Sequence, residues 1–64
     1  MKPLTIREKN VLSLIQEGLT KKEIAEKLAL SYHTIDAHTK NIYKKLKVNS
    51  NVQAIARANE NKLI

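Results

Sequence analysis

The sequence predicts an all-α fold, one small domain over residues 1–64 built from four short helices. Cap residues followed three positions later by Glu or Gln stand at Thr5, Thr20 and Ser50, each just ahead of an apolar pattern, which is the sequence signature of a helix start. Apolar residues then recur at three- and four-residue spacing, and nowhere do strand-forming residues alternate with polar ones. There is also no internal repeat, low-complexity stretch or linker that would divide so short a chain.

Thr5-Ile6-Arg7-Glu8 opens the first helix at Ile6. Val11, Leu12 and Ile15 form its apolar stripe, Leu14 widens it, and Gly18 supplies the left-handed residue that ends it, giving about 6–17. Thr20-Lys21-Lys22-Glu23 opens the second, about 21–28, with Leu19 placed to staple against Ile24 and an apolar set of Ile24, Ala25 and Leu28. Ser31 caps the third, about 32–46, and Leu30 stands at staple spacing from Ile35. Lys44, Lys45 and Lys47 lie at its C-terminal end, where positive charge complements the helix dipole. Ser50-Asn51-Val52-Gln53 reads as a third capping box, opening a helix of about 51–60 whose core face is Ala54, Ile55 and Ala58. Leu63 and Ile64 are expected to fold back as an apolar tail.

A chain of 64 residues without cysteine has no disulfide staple and buries a small share of its surface, so its stability must be modest. The absence of thiols fits a reducing, cytoplasmic setting. No apolar run approaches the roughly 18 residues that span a bilayer, and the start has no signal-peptide stretch. His33 and His38, the two histidines, lie about 140° apart on a helix and cannot share a zinc ion there, so no metal and no cofactor are expected. Net charge is +6, an excess that favours polyanionic partners, nucleic acid before acidic membrane.

The placement of that charge matters more than its sum. At about 100° per residue, His33, Asp36, Ala37, Lys40 and Lys44 fall on one stripe of the third helix, while Ile35, Ile42 and Leu46 fall opposite and must face a core. One flank anchors the helix and the other is free to touch something large and negatively charged. The helices capped at Thr20 and Ser31 are joined by a short turn, which makes a helix-turn-helix candidate with the basic helix as its second member. Ala25 is small enough to let the two approach closely. Many such turns carry Gly where Ala29 stands, because the turn can demand positive φ, which would cost Ala about 1 kcal/mol.

On these residues the sequence resembles the LuxR-type (GerE-like) DNA-binding domain of bacterial transcription regulators. The resemblance covers nearly the whole chain: Leu4-Thr5-Ile6-Arg7-Glu8, Val11-Leu12, Glu17-Gly18, Lys22-Glu23-Ile24-Ala25, Leu28, Ser31, Thr34-Ile35, His38, Asn41-Ile42-Tyr43, Lys45-Leu46, Val48 and Gln53-Ala54-Ile55. It implies a four-helix fold whose third helix enters the major groove of double-stranded DNA, with homodimers formed through the fourth helix on two half-sites. Such domains commonly form the output end of a larger regulator, such as a response regulator.

The base-reading candidates are His33, Asp36, Ala37 and Lys40. Lys40 can donate to guanine O6 and N7, and the matching family position commonly faces bases; the alternative is a solvated lysine. Ala37 can touch a thymine methyl or act as a spacer. Asp36 stands where the family often has Lys or Arg, and it either accepts from cytosine N4 or pairs with Lys40 one turn on. His33 faces a base edge or a phosphate. Phosphate contacts are expected from Thr20, Lys21 and Lys22 at the start of the second helix, whose free amides attract anions, and from Tyr32, Thr34 and Lys44. Asn51 replaces a frequent family Arg, and His38 fits a packed boundary position. Val52, Ala56 and Asn59 extend the fourth helix's small or apolar surface beyond its core face, a possible self-association face.

The competing reading is a small helical protein-interaction module with only non-specific DNA affinity, its lysines serving solubility or an acidic partner. An enzyme is not expected, because the chain has no glycine-rich phosphate loop, no cysteine nucleophile and no clustered acid pair; nor is a small-molecule ligand. The basic helix also lacks the bulky apolar anchors of a membrane-surface helix.

Overall fold

The computed structural model describes residues 4–62, so the expected tail at Leu63 and Ile64 lies outside the described residues. Four helices follow one another: α1 (Ile6–Gln16), α2 (Lys21–Leu28), α3 (Tyr32–Leu46) and α4 (Asn51–Glu60). Three sets of bounds match the sequence reading. α1 stops one residue early, with Glu17 as its cap.

The caps explain the starts. Thr5 and Thr20 each accept the amide of the glutamate three residues on, and each glutamate carboxylate accepts the threonine amide in return. The box expected at Ser50 is only half formed. Ser50 Oγ accepts from Gln53 N–H, but Gln53 Oε1 takes the amide of Asn49 at 3.2 Å rather than that of Ser50. The backbone supplies the reason: all three caps are extended, but Thr5 and Thr20 have φ of −72° and −77° whereas Ser50 has −152°, which turns its amide elsewhere.

Three helix ends share one solution. The amide of Leu19 reaches back to the carbonyl of Leu14, that of Leu30 to Ala25 and that of Val48 to Tyr43, and the residue before each is left-handed. Leu19, Leu30 and Val48 all pack against the core, so each turn is closed by a hydrogen bond and an apolar contact together. Only the first turn uses glycine: Gly18 has φ 97°, whereas Ala29 and Lys47 adopt φ 56°. A β-carbon in that region costs about 1 kcal/mol. Ala29→Gly is therefore expected to stabilise the domain by about 0.5 to 1 kcal/mol, raising the thermal midpoint by several degrees with an unchanged denaturant slope. A lower midpoint would show that the strain at this turn is compensated by something Ala29 contacts.

The core runs through the centre of the molecule. α3 packs against each of the other three helices, while α2 and α4 do not meet. Leu12, Ile24, Ile35, Ile42 and Leu46 are fully buried together with Val11, and Leu4, Leu14, Ala25, Ala54 and Ala58 complete the cluster. Of the expected α1 stripe, Val11 and Leu12 are buried and Ile15 is only half-buried, whereas Leu14, expected to widen the stripe, is buried. Thr39 also lies in the core, where its hydroxyl donates to the Ile35 carbonyl one turn back at 2.9 Å and so meets no unsatisfied partner. Arg57 reaches from α4 to the Leu46 carbonyl at 3.0 Å, satisfying one orphan acceptor at the end of α3.

The one charged side chain buried with this core among the described residues is Glu8, 3 % exposed. Its Oε1 accepts both the Thr5 amide at 2.9 Å and Lys45 Nζ at 2.7 Å, so the α1 cap and an α1–α3 ion pair share one oxygen. Burial alone would raise the Glu8 pKa. The Lys45 ammonium and the Thr5 hydrogen bonds outweigh it and hold the carboxyl below its ordinary value.

Candidate nucleic-acid interface

The inner flank of α3 is Ile35, Thr39, Ile42 and Leu46, all buried, and that burial fixes which residues the helix shows outward. His33, Ala37, Lys40 and Lys44 are all exposed, as the helical period requires. Asn41, four residues beyond Ala37, is exposed beside them and was not among the sequence candidates. Its position next to Lys40 was the available signal, since an exposed amide on this row can give and accept at an adenine edge.

Asp36 lies at the edge of the row and is half-buried. Both oxygens are engaged: Oδ1 accepts from Lys21 Nζ at 2.7 Å and Oδ2 from Lys40 Nζ at 3.1 Å. The Lys21 bond first, then the Lys40 bond, hold its carboxyl below the ordinary range, and Asp36 in turn raises the Lys21 pKa. The helical pairing with Lys40 was one of the sequence alternatives; the cross-helix pairing with Lys21 was not. Lys21, expected to face a phosphate, is thus bound to Asp36 and only half-exposed.

The remaining anchoring candidates surround this row. Thr20 and Lys22 are exposed at the start of α2, where the Thr20 backbone and side chain hold the Glu23 carboxyl below its ordinary pKa. Tyr32 is 50 % exposed at the start of α3 and meets the His33 ring edge-on, with ring centroids 6.4 Å apart. Thr34 is half-buried, and its hydroxyl hydrogen-bonds the Ser31 hydroxyl at 2.8 Å within the α3 cap. His38 is half-buried. Lys45 turns away from the row to Glu8, and the Tyr43 hydroxyl donates to Asn51 Oδ1, tying α3 to α4.

On α4, Val52 is 78 % exposed, and Ala56 and Asn59 are exposed on the same stripe, opposite the buried Ala54 and Ala58. Among the described residues no group of three or more His, Cys, Asp or Glu is placed to hold a metal ion, and no helix is long and apolar enough to cross a membrane.

A short capped helix, a tight turn and a longer helix with one buried and one cationic flank is an arrangement found in solved proteins. The chain superposes over its whole length on one third (32 %) of the response regulator ChrA of a heme-sensing two-component system, with a TM-score of 0.95 and 34 % identity. Among curated proteins it is 45 % identical over 62 residues to the Fimbriae Z protein of Salmonella typhimurium, covering 97 % of this chain and 30 % of that one. It is 44 % identical over 61 residues to the transcriptional regulatory protein LiaR of Bacillus subtilis, covering 95 % of this chain and 29 % of that one. The chain thus spans about a third of the length of the relatives it matches. The model of bacterial regulatory proteins of the luxR family matches residues 2–58, and the chain belongs to that family.

Proposed function

We propose that this chain binds double-stranded DNA with sequence specificity, as the cytoplasmic output domain of a bacterial transcription regulator, with α3 lying in the major groove. The carrying observation is the division of α3 into a fully buried flank and an exposed, cationic one. A major groove about 12 Å wide admits one helix, and a row of side chains on its outer flank reaches base edges that distinguish all four pairs. His33, Ala37, Lys40 and Asn41 read bases in this arrangement. Lys22, Tyr32, Lys44 and the start of α2 at Thr20 hold phosphates, which set the register of the helix without carrying sequence information. The names of the relatives, regulators of transcription and of two-component signalling, support the same role. The domain works by recognition and not by catalysis.

The exposed stripe Val52, Ala56 and Asn59 is the proposed contact between two copies bound to half-sites related by two-fold symmetry. Selection of bound sites from random duplex DNA tests the whole reading: a two-fold symmetric site is expected, and recovery of no preferred sequence would overturn it. Lys44→Ala is expected to weaken binding to all sequences alike and to lower the slope of log affinity against log salt by about 0.9, the value for one phosphate. A change in sequence preference instead would make Lys44 a base contact.

A further inference from the structure

We infer that Asp36 is a positioning residue that clamps Lys21, withholding that lysine's charge from the DNA backbone and so setting the domain's sequence-independent affinity and its salt dependence. The inference rests on the DNA-binding reading above. Its basis is the three-residue cluster at the α2–α3 junction, where one carboxylate binds a lysine from each helix, Lys21 at 2.7 Å and Lys40 at 3.1 Å.

The two lysines are held differently. Lys40 is 71 % exposed and shares its helix with Asp36, one turn on, so it stays on the outward row while tethered. Lys21 is 33 % exposed and comes from the first turn of α2, beside the amides that would receive a phosphate. Bound to Asp36, it contributes little net positive charge at that place. The lowered Asp36 pKa and raised Lys21 pKa agree with a bond that persists across the neutral range.

Non-specific affinity for duplex DNA comes almost entirely from cations that neutralise phosphates and release counterions. A cation withheld from that count lowers affinity for every sequence by the same factor, whereas base contacts act only on the cognate one. Removing the carboxylate while keeping its shape, with Asp36→Asn, frees Lys21. The variant is expected to bind a scrambled duplex about tenfold more tightly near 0.1 M salt and to show a salt slope steeper by about 0.9, one more phosphate. The selected duplex gains by the same factor, so the preference for it over the scrambled one is expected to stay unchanged.

A simple loss of negative charge from the DNA-facing surface would also strengthen binding, and Lys21→Met separates the two causes. Where Lys21 is already methionine, Asp36→Asn has no lysine to release on α2, and the extra slope is expected to shrink to what the lost carboxylate charge and Lys40 supply. The experiment is a salt titration of the wild-type chain, Asp36→Asn, Lys21→Met and the double variant, each against the selected duplex and its scrambled counterpart. An increase as large in the Lys21→Met background as in the wild type overturns the clamp, and so does wild-type binding that Asp36→Asn leaves unchanged. Wild-type failure to bind either duplex overturns the DNA-binding reading itself and the clamp with it.

Discussion

Lys45→Met is expected to destabilise the domain by about 3 kcal/mol, the largest effect of any single surface-reaching substitution, because it leaves the Glu8 carboxylate buried without its counter-charge. A domain of this size has a total stability of about 3 to 10 kcal/mol, so the variant loses about a third of it or more, with a thermal midpoint lowered by about 12 to 24 °C. The pH dependence gives a second, independent readout. In the wild type the folded-state pKa of Glu8 is depressed, so its contribution is present above the ordinary glutamate value of 4.5 and is lost as pH falls through the lower folded value. Without Lys45, burial is opposed by the Thr5 hydrogen bonds alone, so the folded pKa of Glu8 moves upward. The gap between folded and unfolded values narrows, so the variant is expected to lose less stability than the wild type as pH falls below 4.5. Circular dichroism melts at several pH values test both statements. The double replacement Glu8→Gln with Lys45→Met should recover about 1 kcal/mol or more, since no unpaired charge remains buried. A single variant as stable as the wild type, with the same acid sensitivity, would show that Glu8 reaches water in solution.

This ion pair also marks where sequence reading stops. The helices were legible because their signals are local: a cap and its glutamate lie three residues apart, and an apolar flank repeats every three or four. Thr5, Thr20 and Ser31 therefore announced α1, α2 and α3 almost to the residue. The pairing of Asp36 with Lys40 was open to reading for the same reason, because four residues make one helical turn. Glu8 with Lys45 and Lys21 with Asp36 are separated by 37 and 15 residues, and only the packing of α3 against α1 and α2 brings them together. Glu8 looked complete as a cap residue, and nothing in its neighbourhood announces a second partner. Lys45 looked like one more lysine at a helix end. Ser50 shows the opposite failure: its tetrapeptide satisfies the capping pattern, yet half the box is missing, because the pattern records residue types and not the φ angle that aims the amide.

On the DNA-facing flank, Ala37→Glu is expected to reduce affinity for the selected site more than 100-fold while leaving the fold intact. Ala37 is exposed, so a longer side chain there meets solvent in the free domain and finds Lys40 three residues on. Thermal unfolding should accordingly shift little. In the groove the same carboxylate has no water to face and lies between two rows of phosphates. An uncompensated charge in a desolvated contact costs about 3 kcal/mol or more, and each 1.4 kcal/mol is a factor of ten in affinity. Its length also holds the helix backbone away from the base edges, so the contacts proposed for Lys40 and Asn41 would weaken together. Ala37→Ser, which adds a hydroxyl without charge, should alter sequence preference far more than overall affinity, because the loss in the glutamate variant comes from charge and bulk at the centre of the row. The readout is a titration of labelled duplex, selected and scrambled, at two salt concentrations. Under the interaction-module reading the groove is never entered, and the added carboxylate changes weak, sequence-blind binding only by its long-range charge, by a factor that high salt erases. A loss that persists at high salt and falls hardest on the selected duplex is the signature of α3 lying against the bases.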